Sequence, residues 1–396
     1  MSDSYFDKNL NISYVDESLP KPSISLALKH FTCSSILYFA IYVLLSYNPF
    51  FREYFSDNTR YLFCLALCSY LVIAPIIYLV FRPKSLYQSH SIHIYEYLKN
   101  VFKNICSEFK NKDSDYKSIL NIFTPTYHQK QALMLIFIKV FFGTLMTSFL
   151  NNNIYIIIEN VTAIKQIFGN ALANSNFDLI KDLVIQNQHF LWNFAILILF
   201  SIDISIFIIG YLTETTFLRN KIRTVDTNIM GVLFCLVCYP PFNIATNRFV
   251  GWNQNDNAFA YGGENAVLAW SLRFLALFFL IIYTSASVAL GTKASNLTNR
   301  GTVSVFPYNI IRHPAYISKN LFWLFTTIPF LLVNFHSPDF NLIQYLSYAI
   351  PILCSWITWA TIYYFRAIYE ERHLMQDPDY QEYVKKVKYR FIPYII

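Results

Sequence analysis

The stretch HFLWNFAILILFSIDISIFIIGYL, from His189 to Leu212, is a run of 24 mostly apolar residues that holds one carboxylate, Asp203. As an α-helix that rises about 1.5 Å per residue, it would be about 36 Å long, enough to cross the roughly 30 Å hydrocarbon core of a bilayer. Lipid offers the backbone no hydrogen-bond partners, so a segment that crosses it is expected to be helical. This stretch therefore predicts a membrane-spanning helix.

Seven more apolar runs of similar length occur along the chain, at residues 24–46, 61–81, 131–150, 229–247, 266–290, 315–335 and 342–365. The 396 residues are 55% hydrophobic and only 14% charged, whereas a soluble domain usually has about a quarter charged residues. We therefore predict an all-α fold, a polytopic transmembrane helical bundle of about eight spans. The composition excludes a soluble domain and makes the lipid bilayer the first partner of this integral, multi-pass membrane protein.

The segment 154–168 is the weakest point of this topology. It is interrupted by Glu159 and Lys165, which argue against a span and favour a position at the membrane interface. If it did cross the bilayer, the orientation of every later segment would be reversed.

Basic residues indicate which side of the membrane each loop faces. With alternating spans, residues 1–23, 82–130, 213–228, 291–314 and 366–396 lie on one side. That side collects most of the loop Lys and Arg, among them Lys99, Lys103, Lys110, Lys112, Lys117, Arg219, Lys221, Arg223, Lys385, Lys386, Lys388 and Arg390. Loops rich in Lys and Arg are cytoplasmic as a rule, so we predict that both termini are cytoplasmic. This sorting also explains the net charge of +7 without a nucleic-acid partner.

Motifs of the familiar soluble cofactor and metal sites are absent from the sequence. Cys235 and Cys238 form a C-x-x-C pair inside an apolar run, but no second pair completes a zinc site, so we predict no metal. The nine glycines form no glycine-rich turn or phosphate loop. The sequence therefore excludes the familiar soluble cofactor folds.

Polar and special residues concentrate after residue 291, in two predicted cytoplasmic patches. The first ends in Arg312-His313-Pro314-Ala315-Tyr316. Pro314 suits the first turn of a helix, where its missing N–H costs nothing. His313 would then lie at a helix N-terminus, whose free N–H groups favour a carboxylate.

The second patch begins with Arg366, Glu370 and Glu371 and continues through Asp377-Pro378. Arg366 and Glu370 are four residues apart and share a helix face. They could form an intrahelical salt bridge or line a charged pocket. Asp377 is a typical N-cap with Pro at the next position. In the helix that follows, Tyr380, Tyr383, Val384 and Val387 fall on one stripe, which we expect to fold back as a lid.

In this order the motifs resemble the isoprenylcysteine carboxyl methyltransferase family of membrane enzymes. The shared elements are Arg312-His313-Pro314-Ala315-Tyr316, Arg366 with Glu370-Glu371, Tyr380 with Tyr383, and Arg390-Phe391-Ile392-Pro393. The resemblance covers about residues 285–396. It implies an N-terminal transmembrane region over 1–265 and a methyltransferase region over 266–396, with a cytoplasmic cofactor pocket formed by the C-terminal helical hairpin and tail.

The resemblance also implies the cofactor, S-adenosyl-L-methionine, and the residues of its site. Arg366 and Glu370 would be catalytic, on the acceptor side. The cofactor would bind Arg300, Gly301, Thr302, Val303, Tyr308, Arg312, His313, Pro314, Ala315, Tyr316 and Glu371. This chain departs from the family pattern at Arg300-Gly301, where contacts through the backbone are expected, and at Pro307 before Tyr308.

The acceptor implied by the resemblance is hydrophobic or lipid-linked: a prenylcysteine carboxylate, a phospholipid amine or a small thiol. Two alternatives remain. Membrane sterol reductases that use NADPH share a related C-terminal arrangement, but favour Asn at the position of Ala315 and an Arg-Asp-Glu run in place of Glu370-Glu371. A non-catalytic membrane scaffold or transporter is the third possibility.

Overall fold

The computed structural model describes residues 20–49, 57–108, 122–214, 218–244, 266–335 and 341–395. It is 79% helical with almost no strand, which confirms the all-α class. Most of the predicted cytoplasmic N-terminal segment 1–23 lies outside the described residues. The chain divides into two compact units, one comprising Met1–Ser148 with Ile222–Thr227 and the other Phe149–Lys221 with Asn228–Ile396.

The elements follow one another along the chain as eleven α-helices and two short strands in the described ranges. They are α1 (Ile24–Tyr47), α2 (Asp57–Pro75, continued by a wider turn over Ile76–Phe81), α3 (His90–Glu108), α4 (Tyr127–Ala173), α5 (Phe177–Gln186), α6 (Gln188–Leu212), β1 (Thr224–Val225), α7 (Ile229–Leu236), α8 (Ala266–Leu290), β2 (Thr298–Asn299), α9 (Pro314–Phe335), α10 (Leu342–Leu374) and α11 (Pro378–Lys386). Short 3-10 turns occupy Lys84–Gln88 and Gly291–Lys293.

Six described helices are long and apolar enough to cross a membrane. They are Ile24–Tyr47, Asp57–Phe81, Tyr127–Ala173, Gln188–Leu212, Trp270–Lys293 and Leu342–Leu374. They match six of the eight predicted runs and support an integral membrane protein. The predicted run 315–335 is also helical, as α9.

The predicted span 229–247 is wrong as a single helix. Helix α7 ends at Leu236 and the chain turns through Val237–Pro241. A proline ring clashes with the carbonyl four residues before it, and that carbonyl belongs to Leu236 for Pro240. The hydropathy of the run conceals this break, because apolar residues continue on both sides of it.

The segment 154–168 belongs to α4, which continues without interruption from Tyr127 to Ala173. At about 1.5 Å per residue, 47 residues extend over about 70 Å, more than twice the hydrocarbon thickness. A helix without a reversing turn crosses a bilayer once at most. The segment is therefore not a separate returning span.

In the first unit, α1 packs against α2 and α3. Polar bonds accompany this packing: Ser34 and Ser91 share a hydrogen bond of 2.7 Å, and Lys29 pairs with Glu96 at 2.7 Å.

The second unit contains both polar patches. In it α8 packs against α6 and α9, and α10 packs against α9 and α7. A buried apolar cluster that includes Trp192, Leu280 and Phe322 joins α6, α8 and α9. Asp203 is satisfied inside this layer, because Tyr283 donates a 2.8 Å hydrogen bond to its Oδ2 and Ser287 donates to its Oδ1. This packing fixes the ends of α8, α9 and α10 in relation to one another.

Candidate active site

The Arg-His-Pro motif stands directly at the start of α9, whose first residue is Pro314. Two backbone hydrogen bonds connect the motif to the C-terminal tail. The N–H of Arg312 donates to the carbonyl of Tyr389 and the N–H of His313 to that of Arg390, each at 3.0 Å. The first and last elements of the motif set are therefore joined through the main chain, by bonds between residues 77 apart in the sequence.

Glu371 brings three basic side chains of these elements together. Its Oε1 accepts from Arg312 Nε at 2.8 Å and lies 3.0 Å from His313 Nε2. Its Oε2 accepts from Arg390 Nη2 at 2.7 Å, and this bond raises the pKa of the Arg390 guanidinium. The carboxylate is 9% exposed, so these bonds are made out of bulk water. Glu371 and Arg312, expected at the cofactor, brace the motif elements against each other.

His313 and Arg366, which belong to different patches, meet at one side chain, Tyr316. The ring of His313 stacks on Tyr316 with centroids 5.3 Å apart and planes 10° from parallel. The guanidinium carbon of Arg366 lies 5.1 Å from the centroid of the same ring. The N-terminus of α9 and the C-terminal part of α10 therefore meet at the Tyr316 ring, as the resemblance implies.

Arg366 is enclosed by aromatic rings. Besides Tyr316, its guanidinium lies 5.8 Å from the ring centroids of Tyr239 and of Tyr363. The side chain is buried, with 8% of its surface exposed. Among the described residues it makes one hydrogen bond, from Nη2 to Oδ1 of Asn296 at 2.7 Å. Within the described ranges no carboxylate lies within 4 Å of this guanidinium.

Asn296 positions Arg366 and was missed by the sequence analysis. Its Nδ2 donates to the hydroxyl of Tyr239 at 2.9 Å, and its backbone N–H donates to the hydroxyl of Tyr211 at 3.1 Å. Tyr211 is fully buried. No motif marks these residues, although the Tyr239-Pro240-Pro241 break in an apolar run was a visible sign that the chain turns there.

Glu370 bonds to Tyr316 and not to Arg366. The Tyr316 hydroxyl donates to Glu370 Oε2 at 2.5 Å. The intrahelical salt bridge considered for Arg366 and Glu370 is not formed: for these two described residues, no N–O distance of 4.0 Å or less occurs. Tyr316 instead contacts both side chains, the cation through its ring and the carboxylate through its hydroxyl.

The loop that carries Gly301 is tied to the start of α11. Asn299 donates from Nδ2 to Asp377 Oδ2 at 2.8 Å and accepts at Oδ1 from the N–H of Gly301 at 2.8 Å. Gly301 has φ +88°, a conformation that other residues rarely adopt. Asp377 also accepts from the N–H of Asp379 at 3.0 Å, and Pro378 opens α11. The predicted helix start at Asp377-Pro378 is confirmed.

The side chain of Arg300 is hydrogen-bonded to backbone carbonyls inside the protein. Its Nη2 donates to the carbonyl of Gly210 at 2.6 Å, and its Nη1 donates to those of Asn220 at 2.6 Å and Thr213 at 3.2 Å. Burial lowers the pKa of this guanidinium to about 10. Two of these carbonyls, those of Gly210 and Thr213, lie at the end of α6, where a helix leaves its last carbonyls unpaired. Any cofactor contact at this position would have to come from the backbone.

Thr302, Val303 and Tyr308 are further predicted cofactor residues. Thr302 and Val303 are half-buried. Tyr308 packs on a cluster of Tyr380, Tyr383 and Val387, to which Val384 also contributes. The Tyr383 hydroxyl donates to the Tyr308 carbonyl at 2.7 Å. The predicted stripe of α11 is confirmed as a packing face; its role as a lid over a cofactor stays a prediction.

The residues present fit the charges of S-adenosyl-L-methionine, which has a cationic sulfonium and an aminocarboxylate. The backbone N–H groups of Ala315 and Tyr316, in the first turn of α9, have no hydrogen-bond partner in the part of the chain that is described. They suit the carboxylate. Glu370 has one oxygen without such a partner, which suits a cation. Tyr316 belongs to both sets of groups, through its backbone N–H and through the hydrogen bond from its hydroxyl to Glu370.

None of the family models, the curated proteins or the solved structures compared with the chain matches it. The resemblance to the methyltransferase family therefore rests on the motif residues of the C-terminal region themselves.

Proposed function

We propose that the protein is an S-adenosyl-L-methionine-dependent membrane methyltransferase that acts on a hydrophobic or lipid-linked acceptor. A carboxylate of the isoprenylcysteine type is the acceptor that the motif resemblance favours. One observation carries the proposal: Arg366, a buried cation with no carboxylate partner in the described residues, shares the Tyr316 ring with His313. The two motif halves thus border one site.

The environment of Arg366 supports an anionic ligand. Removing a guanidinium from water is costly unless it is paired and hydrogen-bonded. Three tyrosine rings offset part of this cost through cation–π contacts, each worth about 0.5–2 kcal/mol. Asn296 satisfies one of its five N–H groups. A bound acceptor with its own carboxylate would accept hydrogen bonds from the other N–H groups of Arg366.

S-adenosyl-L-methionine, held by the first turn of α9 and by Glu370, would supply a methyl group from its sulfonium to the acceptor carboxylate oxygen and would leave as a neutral thioether, with no proton transferred. The chain need not provide a strong base, and its contribution is alignment and exclusion of water. Arg366 orients the acceptor. Glu370, held by Tyr316, faces the cationic end of the cofactor.

The proposal also covers the helices that form the pocket and the side of the membrane on which it lies. The C-terminal hairpin of α9 and α10, with the tail that crosses Arg312 and His313, forms the cofactor pocket. The distribution of Lys and Arg supports a cytoplasmic position for this pocket and for both termini. Residues 1–265 would then serve as scaffold or shape an acceptor cavity within the bilayer.

Affinity measurements on the full-length protein, purified in a nonionic detergent, distinguish this function from NADPH-dependent reduction and from a scaffold. Isothermal titration calorimetry should detect binding of S-adenosylhomocysteine and none of NADPH. Binding of NADPH alone would support a reductase, and binding of neither would overturn the enzyme proposal. The variant Arg366→Ala should retain S-adenosylhomocysteine affinity, because Arg366 is assigned to the acceptor.

A further inference from the structure

Two side-chain stripes face each other across the hairpin of α9 and α10. Tyr316, Lys319 and Trp323 recur at intervals of three and four on α9, and Tyr363 and Arg366 lie three apart on α10. Such spacing places residues on one face of a helix. The Tyr363 ring lies 5.3 Å from the Tyr316 ring and 5.8 Å from that of Trp323. Lys319 therefore lies beside the site that contains Arg366.

Lys319 is a second cation in aromatic surroundings. Its Nζ is 5.1 Å from the centroid of Trp323, 5.3 Å from that of Tyr283 and 6.0 Å from that of Tyr363. An ammonium has three N–H donors. For Lys319 none of them has a hydrogen-bond acceptor in the described portion of the chain, and no carboxylate lies within 4 Å of it.

Asp203 lies near Lys319, since Tyr283 contacts both side chains, but it does not use the hydrogen-bonding capacity of the ammonium. Both Asp203 oxygens accept from hydroxyls, those of Tyr283 and Ser287. Tyr283 therefore separates the two charges, since its hydroxyl contacts Asp203 and its ring contacts Lys319. Asp203 offsets the charge of Lys319 at a distance and leaves its donors free for a ligand.

Lys319 and Arg366 also border the same ring, Tyr363, at 6.0 and 5.8 Å from its centroid. In surroundings of low polarity, repulsion between two positive charges that border one ring is costly unless an anion lies near both. We propose that Lys319 and Arg366 form a two-cation site for the acceptor carboxylate, in which Lys319 is the positioning residue that selects acids over uncharged lipids. The inference rests on the proposed function and deepens it by assigning acceptor specificity.

The test compares an acid with its own neutral ester, which differ at the carboxylate. The probes are N-acetyl-S-farnesylcysteine and its methyl ester, titrated by thermophoresis into the full-length protein in dodecyl maltoside without cofactor. The wild type should bind the acid at least tenfold more tightly than the ester, since a hydrogen bond to a charged group contributes about one to two orders of magnitude in affinity. Lys319→Met should reduce this ratio at least fivefold, and Lys319→Arg should retain most of it.

A double variant that removes the charges of both Lys319 and Asp203 distinguishes an effect on acceptor binding from an effect on folding. Lys319→Met leaves Asp203 without its offsetting cation, whereas Asp203→Asn/Lys319→Met removes the pair. The double variant should fold like the wild type and show the same loss of acid preference as Lys319→Met. In turnover assays Lys319→Met should raise KM for the acid with a smaller change in kcat, a split that a merely structural role would not produce.

Failure of the inference and failure of the proposed function give different results. An unchanged acid-to-ester ratio in the folded double variant would overturn the two-cation site, even if S-adenosylhomocysteine binds normally. A wild-type protein that prefers the acid in a Lys319-dependent manner but does not bind S-adenosylhomocysteine would retain the anion site and overturn the methyltransferase. Lys319-dependent binding of dodecyl phosphate with no preference for the acid would overturn the carboxylate assignment.

Discussion

Replacement of Glu371 by Gln should loosen the C-terminal tail more than any other single isosteric change at the site. The substitution removes a buried negative charge that accepts from Arg312, His313 and Arg390. Hydrogen bonds to charged groups contribute about 1.5–3 kcal/mol each, and loss of one partner of a buried pair costs about 3–5 kcal/mol. Arg390 is a quarter exposed, so its share is screened by solvent. We expect a loss of about 3 kcal/mol of tail stability.

Hydrogen exchange measured by mass spectrometry on the detergent-solubilised protein tests this directly. A 3 kcal/mol loss should speed exchange of the amides around Arg312, His313 and residues 387–392 by about two orders of magnitude. The adjacent Glu370→Gln is the matched control, because among the described residues Glu370 accepts one hydrogen bond, from Tyr316. It should leave tail exchange within about threefold of the wild type. Equal effects of the two substitutions, or none from Glu371→Gln, would refute the assignment of Glu371 as the brace.

Two further substitutions test the framework around the site. Arg300→Met removes donors from three backbone carbonyls and should lower the free energy of unfolding by about 3 kcal/mol, measured by thermal or denaturant unfolding. The control Arg372→Met, at an exposed position, should change this free energy by less than about 0.5 kcal/mol. Equal losses in the two variants would contradict a structural role for Arg300. Asp377→Ala removes both the cap of α11 and the bond to Asn299, so it should cost about 2 kcal/mol and speed exchange in residues 378–386. Unchanged exchange there would show that the cap is dispensable.

The parts of the fold that follow from local chemistry were predictable. The starts of α9 at Pro314 and of α11 after Asp377 depend on a few adjacent residues, and both stand where the sequence places them. Proline at a first turn and aspartate at an N-cap act within one helical turn. The convergence of His313 and Arg366 on one site followed from the resemblance, which carries long-range information that local patterns lack.

Features that depend on distant contacts or on the path of a helix were not predictable. Asn296 bonds to Arg366, 70 residues away, and nothing in its surroundings marks it. Arg300 looked like a cofactor residue because no local pattern reveals that the end of α6 needs its donors. The run 229–247 was misread because hydropathy sums over Pro240-Pro241. Segment 154–168 continues α4, since helices tolerate the charges that made it a poor span.

Methyl transfer itself is the most direct test of the central claim, that the α9–α10 hairpin and the tail form one methyltransferase site. Membranes containing the full-length protein are incubated with methyl-labelled S-adenosyl-L-methionine and N-acetyl-S-farnesylcysteine. The account predicts label in the farnesylated product that mild base releases as methanol, and its loss in a folded Arg366→Ala variant. The claim would be contradicted if the wild type transferred no label to this probe or to lipid extracts. It would also be contradicted if Arg366→Ala retained full transfer.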